Sequence, residues 1–318
     1  MSVVAIVLVF GSVDPRKAVD VISHASPGWL LIAAAFLAVD LVVRAARWRV
    51  LLAPIRHVPL GATLAYLLVG YLANNVLPAR LGELVRCHYM GDRQGLSRAT
   101  VLGTVVVERV VDIAVVVAIA AVAILVLSVR GTVASAVLVG LAIGVLLAVV
   151  LAIGIAAHRL PGADRVARAA ERWPQVRDVT SRLRAGLAVA GRPRTLALAL
   201  ALTGVAWAAT LLAFAAAGQA VGVQLTIGQA SLLASGVALA SAIPAGPASL
   251  GTFELAAVRI GQALGVASAS AFAIGLLVHG AILIITSAGG VVALVRLGWR
   301  RPSEPQAAAA AATSEIAD

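Results

Sequence analysis

Asn74-Asn75-Val76-Leu77-Pro78-Ala79-Arg80-Leu81-Gly82-Glu83 and Ala242-Ile243-Pro244-Ala245-Gly246-Pro247-Ala248-Ser249-Leu250-Gly251-Thr252-Phe253-Glu254 read as two versions of one device. Each is a proline-broken turn closed by a glycine and a glutamate, with apolar runs on both sides. In lipid, a broken helix strands backbone groups, which is tolerated only where protein or a water-filled cavity covers them. Two such breaks at matching places of two halves point to a transport site near the bilayer midplane. Pro78, Gly82, Pro244, Pro247 and Gly251 are the expected helix-breaking positions.

Composition places these breaks in a membrane. The chain is 61% hydrophobic and 12% charged, with a mean hydropathy of +1.02. Runs such as Ala99 to Leu127 and Thr195 to Val221 exceed the roughly 20 apolar residues a span requires. One cysteine, Cys87, excludes an internal disulfide. His24, His57, His88, His158 and His279 are scattered without metal-ligand spacing, so no metal site is expected. The sequence contains no G-x-x-x-x-G-K-[ST] loop, and no cofactor is expected. Met1 to Phe10 lacks a basic start and a following cleavage site, so it does not read as a signal peptide. It is also short for a span, and reads either as a partial helix or as the remainder of a longer start.

The net charge of +11 sits mostly in loops, where it marks the cytoplasmic side rather than a nucleic-acid surface. Residues 158–194 carry nine arginines, from Arg159 to Arg194, against Asp164, Glu171 and Asp178. That segment reads as a cytoplasmic loop, either an amphipathic surface helix or a topology signal alone. Arg44, Arg47, Arg49 and Arg56 mark a second cytoplasmic loop, and Arg296, Arg300 and Arg301 a cytoplasmic C-terminus. Gly28 to Leu52 then runs inward, and Ala99 to Leu127 with Val133 to Ala156 forms a hairpin ending inside. Leu60 to Met90 must leave and return on one side, as a hairpin with its tip at Asn74 to Gly82.

The second half repeats the first upside down: Thr195 to Val221 outward, a hairpin over Gly228 to Leu264, and Ser268 to Val295 inward. Gly61 lies 17 residues before Pro78 and Gly228 lies 16 before Pro244, while Glu83–Glu108 and Glu254–His279 are both 25 apart. The expected fold is an all-α polytopic membrane domain over 1–301, with about six membrane-crossing helices and two re-entrant hairpins. It is an inverted-topology repeat, with repeat one at about 28–127 and repeat two at about 195–297, followed by a disordered tail over 302–318.

Ionisable residues inside apolar segments are costly and mark function by default. Glu108, Arg109 and Asp112 form the densest set. Glu108 and Asp112, four apart, share a helix face, and Arg109 can pair with Asp112. Their bland reading is an ion cluster locking two helices together. The first hairpin adds Arg80, Glu83 and Arg86. Arg80 and Arg86 are expected phosphate ligands, because a guanidinium binds phosphate oxygens bidentately. The helix starting near Leu81 presents free N–H groups to an anion. Asn74 and Asn75 either contact the ligand or cap the broken backbone. Ser249 is expected to N-cap the helix bearing Glu254. Glu254, with only Arg259 nearby in sequence, is a candidate for proton or cation coupling or for a salt bridge to another helix. Asp40 and Arg44 read as an interfacial pair, with Arg44 snorkelling to lipid heads. His279, a lone histidine on an apolar helix, reads first as a satisfied hydrogen-bonder.

The ordered motifs Asn74-Asn75-x-Leu77-Pro78-x-Arg80-x-Gly82-Glu83-x-x-Arg86, Glu108-Arg109-x-x-Asp112 and Pro247-x-Ser249-x-Gly251-x-x-Glu254 resemble the lysylphosphatidylglycerol synthase transmembrane-region family, the flippase-like domain proteins. The similarity runs from about Val19 to Arg300. It implies a plasma-membrane domain that moves an amphipathic lipid between leaflets. In the aminoacyl-phosphatidylglycerol synthases a soluble transferase domain follows; nothing here resembles it, so aminoacylation is not carried over. Members also occur beside or fused to glycosyltransferases, which makes a glycosyltransferase or lipid-modifying enzyme an expected partner. The cargo is either an aminoacyl phospholipid or a polyprenyl-phosphate-linked sugar. The alternatives are an integral membrane transferase with a lipid-phosphate donor, a small-anion carrier and a scaffold. Against the transferase, the sequence has no D-x-D or paired-carboxylate metal motif at either surface, so no catalytic residue is assigned.

Overall fold

The structure is a computed structural model that describes residues 2–77, 81–129, 174–242 and 246–298, with 131, 135, 139, 142 and 146 isolated between. The turn residues Pro78, Arg80 and Pro244, the expected helix over Val133 to Ala156 apart from four isolated residues, the first part of the arginine-rich loop (158–173) and the 302–318 tail lie outside the described residues.

The described residues are all-helical. Two short helices, α1 (Ser2–Ser12) and α2 (Pro15–Ser23), precede the first long one, α3 (Pro27–Leu52). The first hairpin follows, as α4 (Leu60–Val76) and α5 (Gly82–Gln94), and leads into α6 (Arg98–Leu127). Then come α7 (Pro174–Leu187), α8 (Pro193–Ala220), the second hairpin α9 (Ile227–Ala242) and α10 (Thr252–Ala263), and α11 (Ser268–Leu297). Four of these, α3, α6, α8 and α11, are long and apolar enough to cross a membrane.

Local chemistry places the boundaries. Pro27 and Pro193 open α3 and α8 at the first turn, where a missing N–H costs nothing. Gly95, at φ 63, ends α5 in the left-handed conformation. The first hairpin breaks where Leu77 turns extended and resumes at Gly82, as Pro78 predicts.

Packing depends on small side chains, because lipid supplies no hydrophobic force between helices. The face of α8 buries Ala199, Ala206, Ala209, Ala213, Ala216 and Ala217, which lets α3 lie close along it. Helix α4 packs on α11, where a Cβ on Gly290 would stand 2.8 Å from the Leu68 carbonyl oxygen. Helix α9 packs on α6 in the corresponding way. Two main apolar cores result. One joins α3, α8, α9, α10 and α11 around Phe214, Leu232, Leu233 and Ile274. The other joins α3 to the first hairpin and α6 around Trp48, Leu52, Leu67 and Met90. Cys87 is buried in the second core.

The N-terminal segment is a short helix, and Val9, Val13 and Ala18 pack on Val258 of α10. Within the arginine-rich segment, α7 packs on α6 rather than standing apart, and Gly186 faces Gly103 at their crossing.

Candidate functional site

The ionisable residues of α3, α5 and α6 converge in one buried network. Arg47 is fully buried. Its Nη2 lies 3.1 Å from Glu108 Oε1, and its Nη1 donates to Asp112 Oδ1 at 3.0 Å and to Thr203 Oγ1 of α8 at 3.1 Å. Arg86 grips Glu108 through both Nη atoms, at 3.1 and 3.3 Å, and its guanidinium lies 4.7 Å from the centre of the Trp48 ring. Arg44 donates from Nε to both oxygens of Asp40, at 2.8 and 2.9 Å, and from Nη1 to Asp112 at 3.1 Å. Trp207 donates its indole N–H to Asp112 Oδ1 at 3.2 Å, and Thr210 donates to Asp40 Oδ1 at 3.2 Å. Arg109 donates to Glu108 Oε1 at 3.1 Å and keeps about a third of its side chain (34%) exposed.

Four guanidiniums, of Arg44, Arg47, Arg86 and Arg109, thus meet three carboxylates, of Asp40, Glu108 and Asp112. The network carries one excess positive charge. Buried ions are tolerated only when paired and hydrogen-bonded, and nearly every donor here has a partner. The exceptions among the described residues include Arg47 Nε and Arg109 Nε, both buried without a hydrogen bond.

Arg109 and Arg44 face a cavity of about 360 Å³ between the two hairpins. Its wall also holds Asn74, Asn75, Glu83, Asp112, Ser249 and His279. A second cavity of about 210 Å³ adjoins it, sharing Arg44, Tyr71, Asn75, Trp207, Phe253 and Ile282. The remainder of that wall is mainly apolar, with Leu37, Leu41, Phe214, Val237 and Ile285. Both walls are mainly apolar, but the larger chamber carries more polar groups, while the smaller adds only the polar residues Asp40, Thr210 and Thr286 beyond those the two share.

The hairpin tips carry their own polar chemistry. Asn74 Oδ1 accepts the Gly82 N–H at 2.8 Å, so it caps the second arm of the first hairpin. Its Nδ2 donates to Glu83 Oε2 at 3.4 Å. Asn75 donates to Thr286 Oγ1 at 2.9 Å and Ser287 Oγ at 3.0 Å, which ties α4 to α11. In the second hairpin, Gly251 at φ 84 is the N-cap of α10, and its N–H donates to Glu254 Oε2 at 2.8 Å. Glu254 Oε1 lies 2.6 Å from His279 Nδ1, and His279 Nε2 lies 2.9 Å from the Ala248 carbonyl oxygen.

Several expectations are corrected. Ser249 is not the N-cap; it sits in the 3₁₀ turn Pro247–Ser249, and its carbonyl accepts from Thr252 Oγ1 at 2.8 Å. Of the two readings of Glu254, the structure shows the bridge to another helix, to His279, brought from 25 residues away by the α10–α11 packing. Asp40 and Arg44 are not an interfacial pair, and Arg44 does not snorkel; both are largely buried in the network. Arg86, 2% exposed, is turned into Glu108 rather than into the larger cavity. Arg47, taken from sequence as a loop charge, is at the centre. The signal was present: Asp40, Arg44 and Arg47 stand at i, i+4 and i+7, one helix face.

Comparison with known proteins agrees with this architecture. None of the curated proteins matches significantly. The family model for the lysylphosphatidylglycerol synthase TM region matches residues 1–290, which include every residue of the network and both hairpins. That family is a lipid-related membrane domain. On this match the chain, a membrane-embedded helical protein, belongs to the lysylphosphatidylglycerol synthase TM region family.

Proposed function

We propose that the protein translocates a lipid with a phosphate-containing head group between leaflets of the plasma membrane, by alternating access. The observation that carries this reading is the pair of adjoining cavities. The head group is assigned to the larger, more polar chamber and the first part of a chain to the smaller one, the rest of the chain staying in the bilayer. Arg109, about a third exposed, and Arg44 line this chamber and are assigned the phosphate. Arg80, at the tip of the first hairpin, is assigned the same role. Glu83 stands on the same wall for a cationic or hydroxylated head group, and Asn74, Asn75 and Ser249 shape the chamber. Arg86, Glu108 and Asp112 hold the arginines in place when the site is empty. Free phosphate would leave the smaller chamber without an occupant, which favours a lipid over a small anion.

The architecture proposed is an inverted repeat, one unit over about 28–127 and the other over about 195–297, within a membrane domain ending near 301. The packing supports it. Helix α3 pairs with α8, α4 on α11 matches α9 on α6, and each hairpin packs on the long helix that follows it. Rocking of one unit against the other would expose the cavity alternately. The C-terminus is placed in the cytoplasm by its arginines, and a glycosyltransferase or lipid-modifying enzyme is the proposed partner.

The test is a leaflet assay in liposomes with wild type, Arg109→Gln and Glu83→Gln. Fluorescent phosphatidylglycerol, a cationic aminoacyl lipid and a polyprenyl phosphate are the probes. Selective movement in wild type, reduced at least tenfold in Arg109→Gln, is expected. No movement of any of the three, or equal movement in wild type and Arg109→Gln, refutes the assignment.

A further inference from the structure

The His279–Glu254 pair has a proton count that its geometry determines. A carbonyl oxygen only accepts, so the 2.9 Å contact with Ala248 requires a proton on His279 Nε2. The 2.6 Å contact between Nδ1 and Glu254 Oε1 requires a second proton, on either atom. The other carboxylate oxygen already accepts the Gly251 N–H. Imidazolium with carboxylate, or imidazole with carboxylic acid, both hold two protons and carry no net charge. The pair thus has one proton more than neutral histidine beside ionised glutamate. Its side chains are only 5% and 6% exposed, and a neutral pair is the form such a site tolerates.

Losing that proton has a structural result. Either Nδ1 turns a lone pair toward the carboxylate, or the remaining proton moves to Nδ1 and the Ala248 contact is given up. Ala248 and Ser249 are consecutive non-glycine residues at φ 55 and 57, a disfavoured left-handed backbone. The turn they form lines the larger cavity beside His279. Proton occupancy therefore sets the hold on the tip of the second hairpin.

Charge couples the pair to the ligand. The other titratable groups on this cavity are Arg44 of α3, Tyr71 of α4, Glu83 of α5, and Arg109 and Asp112 of α6. Arg259 of α10 is exposed, as are Asp14, Arg16, Lys17 and Asp20 at and within α2; of the other charges on helices packed against α11, Asp40 and Arg47 of α3 are held in the buried network, and Arg49 of α3 and Arg194 of α8 lie at the far helix ends. The deprotonated pair is an anion across the chamber from the phosphate site, and like charges in one low-dielectric site oppose each other. A bound phosphate favours the protonated pair.

We propose that His279 and Glu254 form a proton site and that one proton crosses with each phosphate-bearing lipid, as a co-transport. This rests on the translocase reading. Proton and lipid anion together carry no charge, so the pH difference alone drives accumulation. One pH unit corresponds to a leaflet ratio of about tenfold at steady state.

The experiment uses the purified full chain in phosphatidylcholine vesicles holding a trace of tail-labelled phosphatidylglycerol, with dithionite quenching of the outer leaflet. A one-unit pH difference is imposed, and protein-free vesicles are the control. Wild type is expected to enrich the label about tenfold in the leaflet facing the alkaline side. His279→Gln and Glu254→Gln are expected to bring the ratio to one. A wild-type ratio of one with label still moving overturns the inference and leaves translocation standing, and enrichment toward the acidic side overturns co-transport. No movement of label overturns both. The wild-type ratio decides even if neither variant folds.

Discussion

Glu108 should be the residue on which the buried network depends, and Glu108→Leu is the perturbation that tests it. Its carboxylate lies within 3.1 Å of Arg47, Arg86 and Arg109, and it is 1% exposed. Of these, Arg47 and Arg109 also reach Asp112, at 3.0 and 3.7 Å, whereas Glu108 is the one carboxylate bonded to Arg86 among the described residues. Removing Glu108 leaves the Arg86 guanidinium buried against the Trp48 ring without an anion. Breaking a buried pair by deleting one partner costs about 3–5 kcal/mol. At about 2–4 °C per kcal/mol, the melting temperature in detergent micelles should fall by on the order of 10 °C. Adding Arg86→Met removes the stranded charge and returns the network to one excess positive charge. The double variant should therefore melt well above Glu108→Leu, with a coupling of about 2 kcal/mol or more. Additive shifts, or a Glu108→Leu loss no larger than that of the partly exposed Arg109→Gln, would refute the reasoning.

The other predictions concern the tips, the crossings and the cavity. Gly251→Ala forces a Cβ onto a residue at φ 84 and should cost about 1–2 kcal/mol, read in the same melting assay. Asn75→Leu deletes the bonds to Thr286 and Ser287 and should destabilise by about 1–2 kcal/mol, since the Thr286 hydroxyl keeps its bond to the Ile282 carbonyl. Gly103→Val should cost about 1–3 kcal/mol, since even a Cβ there would stand 2.7 Å from Gly186 Cα; protease cleavage within α7 should accelerate, because α7 loses its seat on α6. Ala238→Phe fills the boundary between the two chambers, and should reduce phosphatidylglycerol movement at least tenfold while leaving the melting temperature within a few degrees.

The hairpins were legible in the sequence because proline and glycine act locally. Leu77 turns extended ahead of Pro78, and Gly251 takes a φ that other residues avoid. The set Glu108, Arg109 and Asp112 was legible because charge inside an apolar run has no cheap explanation. Arg47 was not, since an arginine at a helix end looks the same whether it marks topology or anchors a core. Its one local sign is the face it shares with Asp40 and Arg44, at i, i+4 and i+7. The direction of Arg86 depends on how α5 rotates against α6, which no local pattern records. His279 found Glu254 through tertiary packing alone, across a separation that sequence spacing noted without explaining.

The burial of Cys87 gives the molecule a practical property. It is the one thiol in the sequence, and it is 3% exposed. A maleimide or nitroxide reagent meets no accessible native target, so the unaltered protein already serves as a silent background for site-directed labelling. Cysteines introduced at Leu81 and Leu250, both exposed beside the two turns, would carry a spin-label pair from which the separation of the tips is read directly, in bilayers, as substrate is added.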